Sequence, residues 1–282
     1  MMKEEARAKF AEMVARNESE LELDRAALLI AAEEYPHLDV EKYLDQINAF
    51  AELAGSRDDF SAGPLSRIMR LGDLLFDELG FHGNAENYFD ARNSFLNDVI
   101  DRRTGIPITL SVLYIEIARR IGLKLFGVGM PGHFIVKFVA DEREILIDPF
   151  NGGQILSEEK CREMIEEMYG GEMKFHPAFL YAVTKKQILT RMVQNLKGIY
   201  ARVGDHHKTL DAIERALILH SGEGPAAANE IRDRGLVYSG MGRYVKALAD
   251  LEDYLRLKPQ APDSKEIKER IGQLRQKQAQ LN

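Results

Sequence analysis

A single cysteine in 282 residues rules out an internal disulfide and any multi-thiolate metal site, and agrees with a reducing compartment. No apolar run approaches the roughly 20 residues that a membrane span requires, so no membrane association is expected. A secretory signal is missing too: MMKEEARAKF alternates charges where such a signal would follow a basic start with an apolar block. A cytoplasmic protein is expected. Net positive charge is also lacking; the formal balance is −7, which argues against a sequence-independent grip on nucleic acid. The Lys and Arg residues between Lys265 and Lys277 alternate with Glu266 and Glu269, as on a solvated terminal helix. HExxH, phosphate-loop, Rossmann and paired-cysteine motifs are absent, and His206-His207 has no third ligand placed beside it by spacing. Neither a metal nor another cofactor is expected, and nothing fixes an oligomeric state.

What is present is the composition of a soluble globular chain, 45% hydrophobic and 29% charged, long enough for two domains. ELELDRAALLIAAEE, residues 20–34, is rich in helix formers and is stopped by Pro36, which removes a backbone donor. Asp39 can cap a second helix in which Tyr43, Ile47, Phe50 and Ala51 form one apolar face up to Gly55. PLSRIMRLGDLLFDELG gives a third, with Pro64 in its first turn and Gly80 at its stop. These make a helical N-terminal region. FHGNAENYFDARNSF has no period and is a polar loop. Asn93 or Ser94 can cap a short helix ending near Arg103, with Gly105 suited to the left-handed position after it.

Pro107 then fits the first turn of a helix. From Ile108 to Ile121 nearly every face of that helix is apolar, which predicts burial; Thr109, Glu116 and Arg120 form the one polar stripe, and Gly122 ends it. LFGVGM, HFIVKFVA and EILIDPF are expected strands. A hairpin turn centred near Ala140 and Asp141 would bring His133 and Asp148 opposite each other, and a later turn would offset them by a few residues. An imidazole beside a carboxylate is half of a catalytic triad. NGGQILS is expected as a turn, and Ser157 caps a helix on which Cys161, Met164, Ile165 and Met168 share one face.

The remaining chain changes to helix-turn-helix pairs. QNLKGIYARVGDHHKTLDAIERALILH and IRDRGLVYSGMGRYVKALADLEDYLRLKP align at an offset of 38, matching Tyr200 with Tyr238, Gly204 with Gly242, Ile213 with Leu251 and Ser221 with Pro259. In the second, Gly235, Tyr238, Ala247 and Pro259 fall at the positions of a tetratricopeptide repeat of roughly 34 residues. Two repeats are fewer than usually stand alone, so this unit is expected to pack against the central domain.

RTGIPITLSVLYIEIARRIGL resembles the nucleophile helix of transglutaminase-like, papain-like proteins: a Gly, one residue, the Cys, then a buried helix ending in Arg-x-x-Gly. Setting Gly105 and Gly122 on those glycines puts Pro107 at the cysteine position. His133 matches the family's histidine at a strand start, and Asp148 in Asp148-Pro149 its aspartate. More narrowly the chain resembles bacterial SirB-type proteins, in which such a core follows a helical segment and precedes tetratricopeptide-like helices. The resemblance implies an α+β fold: a helical N-terminal region plus transglutaminase-like core with a small antiparallel sheet in residues 1–182, then an all-α tetratricopeptide-like unit in 183–282. Proline offers no atom for acyl transfer. The expected role is therefore a non-catalytic, regulatory or scaffold protein that binds a protein or peptide segment. The alternative is a hydrolase, amidase or acyltransferase in which Thr109, Ser111 or Cys161 replaces the cysteine beside His133 and Asp148. Cys161 shares an apolar face and is expected in the core, since free cysteine is among the most buried residue types.

Overall fold

The structure, a computed structural model, describes residues 1–57, 63–140, 143–221 and 224–280. It divides into two compact units, Met1–Met192 and Val193–Asn282. The first opens with a helix that the charged N-terminus conceals, α1 (Lys3–Ala15), which buries Ala6, Phe10, Met13 and Val14. Their spacing is that of one helical face, and the surrounding Lys and Glu residues mask it. The helix expected at 20–34 follows as α2 (Leu23–Glu34), almost wholly buried. α3 (Val40–Ser56) is capped by Asp39, whose side chain accepts from the Lys42 N–H. α4 (Pro64–Gly72) has Pro64 in its first turn and continues as a π-helical stretch over Asp73–Glu78.

The polar loop contains a two-residue strand, β1 (His82–Gly83), parallel to β2 (Thr104–Gly105) on the other side of α5 (Leu96–Arg102). Asn93 and Ser94 do not cap α5; both are buried in a 3-10 turn before it, and Phe95 takes the N-cap position. Nor does Gly105 take the left-handed residue after α5. Arg103 does, at φ 57°, and its guanidinium is held between the rings of Phe50 and Phe81 at 4.7 and 4.6 Å. Gly105 is small for another reason: a Cβ there would meet Thr109 Oγ1 at 2.9 Å.

α6 (Pro107–Arg120) runs through the middle of the unit and is buried from Pro107 to Ala118. Gly122, at φ 77°, ends it. Its polar stripe is used inward. Arg120 reaches Asp24 of α2 at 2.5 Å, Glu116 at 3.0 Å and Asn48 of α3 at 2.7 Å, while Arg119 holds Glu116 at 2.9 Å. Burial, then the charge of Asp24, pushes the Glu116 carboxyl above its ordinary range, so the arginines are what make two buried acids tolerable here.

The sheet is antiparallel, in the order β6 (Gln154–Leu156), β5 (Arg143–Asp148), β4 (Ile135–Ala140), β3 (Leu125–Val128), β7 (Ala182–Val183). β6 lies inside the expected NGGQILS turn: only Asn151 to Gly153 turn, and Leu156 pairs back onto Leu146. Asp141 of the expected hairpin centre lies outside the described residues. The ladder pairs Ala140 with Arg143 and Val136 with Ile147, so Asp148 comes level with Ile135, two residues past His133. Val128, Ile135, Leu146 and Leu156 pack with Leu180 and with Cys161 and Ile165 of α7 (Glu158–Met168). Ser157 caps α7 through the Lys160 N–H, and Met168, expected on the buried face, is 49% exposed. Its last turn has rotated out over Gly132, where a Cβ would lie 1.8 Å from its sulfur.

α8 (Lys185–Arg202) carries the chain into the second unit, which is all helical: α9 (His206–Leu219), α10 (Gly224–Gly240), α11 (Tyr244–Leu257) and α12 (Ser264–Ala279). The repeat offset is visible in the backbone. Gly204 and Gly242 both turn at positive φ, 74° and 72°, and Ile213 and Leu251 are both fully buried. At Gly235 a Cβ would strike Leu251 at 2.9 Å, so this glycine sets the close approach of α10 and α11. The basic tail lies on α12, which buries Ile267, Ile271 and Leu274 and leaves Lys265, Lys268, Arg270 and Arg275 exposed.

Arg120→Met leaves Asp24 and Glu116 buried without their shared cation. We expect a loss of about 3–5 kcal/mol in urea unfolding at neutral pH, and a loss below about 1 kcal/mol would show that the clamp is not a support of the fold.

Candidate functional site

Asp148 ends β5, and the chain turns immediately: its Oδ1 accepts from the N–H groups of Phe150 and Asn151 at 3.0 and 3.3 Å, capping the 3-10 turn Pro149–Asn151. Oδ2 accepts from the Asn151 side-chain amide at 2.7 Å and meets His133 Nε2 at 2.8 Å. A carboxylate that already takes three donors acts as acceptor to the fourth, so Nε2 carries a proton, and in the neutral imidazole Nδ1 is then the acceptor. Both side chains are buried, His133 at 7% and Asp148 at 0% exposure. His133 is set by its own turn, its N–H donating to the Met130 carbonyl at 3.2 Å and Gly132 before it standing at φ 71°.

Aromatic rings extend from the pair. Phe150 lies edge-on to the His133 ring at 6.0 Å, and Tyr88 of the polar loop edge-on to Phe150 at 6.1 Å. Phe150 also rests on Gly83, where a Cβ would fall 2.5 Å from the ring. Gly83 pairs with Gly105, two residues before Pro107. The small β1–β2 bridge thus links the Asp148 turn to the N-terminus of α6, and the polar loop borders the site.

The five residues singled out in the sequence are placed differently from one another. His133 and Asp148 meet. Thr109 is buried, and its hydroxyl is committed to the start of α6: it accepts from the Ile106 N–H at 3.1 Å and donates to the Asn93 carbonyl at 2.8 Å. An oxygen so engaged caps the start of α6. Ser111 is fully buried, with no hydrogen-bond partner for its oxygen among the described residues. Cys161 lies in the apolar layer between α7 and the sheet. Burial, and secondarily the charge of Asp148, pushes its thiol up to about 11. Pro107 occupies the first position of α6 and is buried.

Sequence reasoning missed Asn151 and Arg191. Asn151 follows the quoted Asp-Pro-Phe directly, and a side chain three residues beyond a capping aspartate was a readable signal. Arg191 lies on α8, far along the chain, and donates to the Met130 carbonyl at 2.8 Å; no local pattern announces it. Among the described residues no group of three His, Cys, Asp or Glu side chains is arranged to hold a metal ion, and no helix is long and apolar enough to cross a membrane.

A buried helix whose start adjoins a histidine–aspartate pair on an antiparallel sheet defines a transglutaminase-like core. A model of the transglutaminase-like superfamily matches residues 41–194, and a tetratricopeptide-repeat model matches residues 196–272. A UPF0162 protein of Xylella fastidiosa is 39% identical over 243 residues, covering 85% of each chain. One from Vibrio cholerae is 28% identical over 242 residues, covering 86% of this chain and 85% of its own. The human F-box only protein 21 is 34% identical over 164 residues, 51% of this chain and 25% of that one. The chain belongs to the transglutaminase-like superfamily and, within it, to the UPF0162 family of bacterial proteins.

Two outcomes follow from the site geometry. A thiol raised by two pH units holds about a hundredfold less thiolate, so Cys161 in the folded protein is expected to react with iodoacetamide at pH 7.5 at least about 100 times more slowly than in urea. Asp148→Ala orphans His133 Nε2–H and two backbone N–H groups in one step; thermal and urea unfolding are expected to report a loss of about 2–4 kcal/mol.

Proposed function

We propose that this chain is a degenerate transglutaminase-like protein of the SirB type, a cytoplasmic regulatory scaffold that binds a protein segment at the His133–Asp148 site. The observation that carries the reading is Pro107: by resemblance the nucleophile position holds a residue without a reactive atom, while the histidine–aspartate pair beside α6 is present and joined at 2.8 Å. The fates of the other candidates support it, since Thr109 is a cap, Ser111 is buried and Cys161 is a core thiol held in its neutral form. Tetratricopeptide helices, which stack into surfaces that take extended or helical segments, supply the scaffold half.

A second reading, a hydrolase or amidase with a substituted nucleophile, is favoured by one observation: the 2.8 Å bond to Asp148 engages His133 Nε2, so that in the neutral ring Nδ1 is the acceptor a general base needs. Full-length protein incubated with a glutaminyl peptide and a primary amine separates the two. The scaffold reading expects no ammonia release, and expects Pro107→Cys to acquire thiol labelling that His133→Ala weakens. Turnover by the native chain that disappears in His133→Ala would overturn it, with Thr109→Ala, Ser111→Ala and Cys161→Ala then locating the nucleophile. For binding, a photo-crosslinking residue in place of Phe89, 54% exposed beside Tyr88, is expected to give a discrete protein adduct in the native host. Absence of any adduct would count against a scaffold.

A further inference from the structure

Most half-buried arginines of the first unit answer a carboxylate: Arg7 holds Glu33, Arg25 holds Glu22 and Glu41, and Arg120 holds Asp24 and Glu116. Arg191 does not. Its one hydrogen bond among the described residues runs from Nη1 to the Met130 carbonyl at 2.8 Å, and its guanidinium lies over the Phe134 ring at 5.7 Å. That carbonyl also accepts the His133 N–H at 3.2 Å, so the cation and the imidazole-bearing residue hang from one oxygen. Burial pulls the guanidinium's pKa downward, and the groups nearest to it in charge terms are the phenols of Tyr88 and Tyr169. Asp148 does not serve as its counterion, because both of its oxygens are taken.

Arg103 is the instructive contrast. It too lacks a carboxylate, but it is sandwiched between two rings and its Nη1 is sealed from solvent without a partner. Its charge is already met by those two rings. The Nε and Nη2 groups of Arg191 are not sealed in that way, so these two donors keep some contact with solvent and have no acidic partner among the described residues. A half-desolvated cation without a counterion is unfavourable in the free protein and becomes favourable when a ligand brings the anion.

We propose that Arg191 is the recognition residue of this site and that the ligand is a peptide bearing a carboxylate, placed by the Arg191 guanidinium beside His133. This rests on the binding reading above. A carboxylate is preferred over a phosphate because one guanidinium fork matches one planar monoanion, whereas a dianion would meet the nearby Asp148 and a chain of net charge −7 with a single cation to offset them. The surroundings select the rest of the peptide. Phe89 and Tyr88 lead through Phe150 to His133, and Met168 covers Gly132 on the other side. An apolar or aromatic residue next to the acidic one fits those walls.

The test uses the full-length chain with arginine, tyrosine and histidine labels followed by NMR. The probes are N-acetyl-Glu-Phe-amide, its neutral isostere N-acetyl-Gln-Phe-amide, N-acetyl-Ala-Phe with a free C-terminus, and N-acetyl-phosphoserine-Phe-amide. We expect the Glu peptide or the free-acid peptide to shift Arg191, Tyr88 and His133 saturably and to bind at least about tenfold tighter than the Gln isostere. Whichever of the two is tighter identifies the carboxylate as a side chain or a chain end. Arg191→Gln, with its fold checked by thermal unfolding, is expected to erase the preference for charge, and Arg191→Lys to restore part of it. Equal binding of Glu and Gln peptides, a preference that survives Arg191→Gln, or tightest binding of the phosphopeptide would overturn the proposal. If a peptide binds and His133→Ala weakens it while Arg191→Gln does not, the Arg191 assignment alone falls. If no probe shifts either residue, the binding reading of the site falls with it.

Discussion

Four donors converge on the Asp148 carboxylate: two backbone N–H groups, the Asn151 amide and the His133 imidazole. Because that carboxylate is fully buried, none of these bonds can be exchanged for water, and together they fix the direction of the chain as it leaves β5. The same turn lays Phe150 on Gly83 and, through the β1–β2 bridge, ties the sheet to the start of α6. The site is therefore a junction of the fold as well as a surface of it. The histidine–aspartate pair therefore has a structural task, since removing either partner strands the others.

The second constraint lies at the opposite end of α6. A helix that is apolar almost all round can sit in the centre of a unit only if its few polar groups are answered inside, and Arg120 does this by gathering Asp24 from α2 and Glu116 from α6 itself. Thr109 does the equivalent at the first turn by capping Ile106 and binding the Asn93 carbonyl. α6 is thus pinned at both ends by buried polar contacts. That pinning engages the Thr109 hydroxyl in the helix start itself.

Much of this was legible in order along the chain. Pro107, the apolar run after it, and Gly122 gave α6 its limits, because helix entry, burial and exit each leave a local mark. The alternation in the 135–148 segment gave the hairpin, and its register then differed from a symmetric turn by only two residues. What failed was where two local rules competed. Charge pattern hid the apolar face of α1, turn-forming Asn and Gly hid β6, and the preference of glycine for positive φ favoured Gly105 over Arg103, whose strain is offset by two aromatic rings that arrive from elsewhere in the sequence.

The sequence by itself determined the class of fold, the proline that opens α6 and the expectation that His133 meets Asp148, since each depends on residue identity and short-range periodicity. Only the tertiary structure decided that Thr109 caps α6, that Ser111 is buried without a partner among the described residues, and that Arg191, from far along the chain, shares the Met130 carbonyl with His133 and has no carboxylate partner among the described residues. Those outcomes turn on which groups are buried together, and burial is a property of the packed chain that no local pattern encodes.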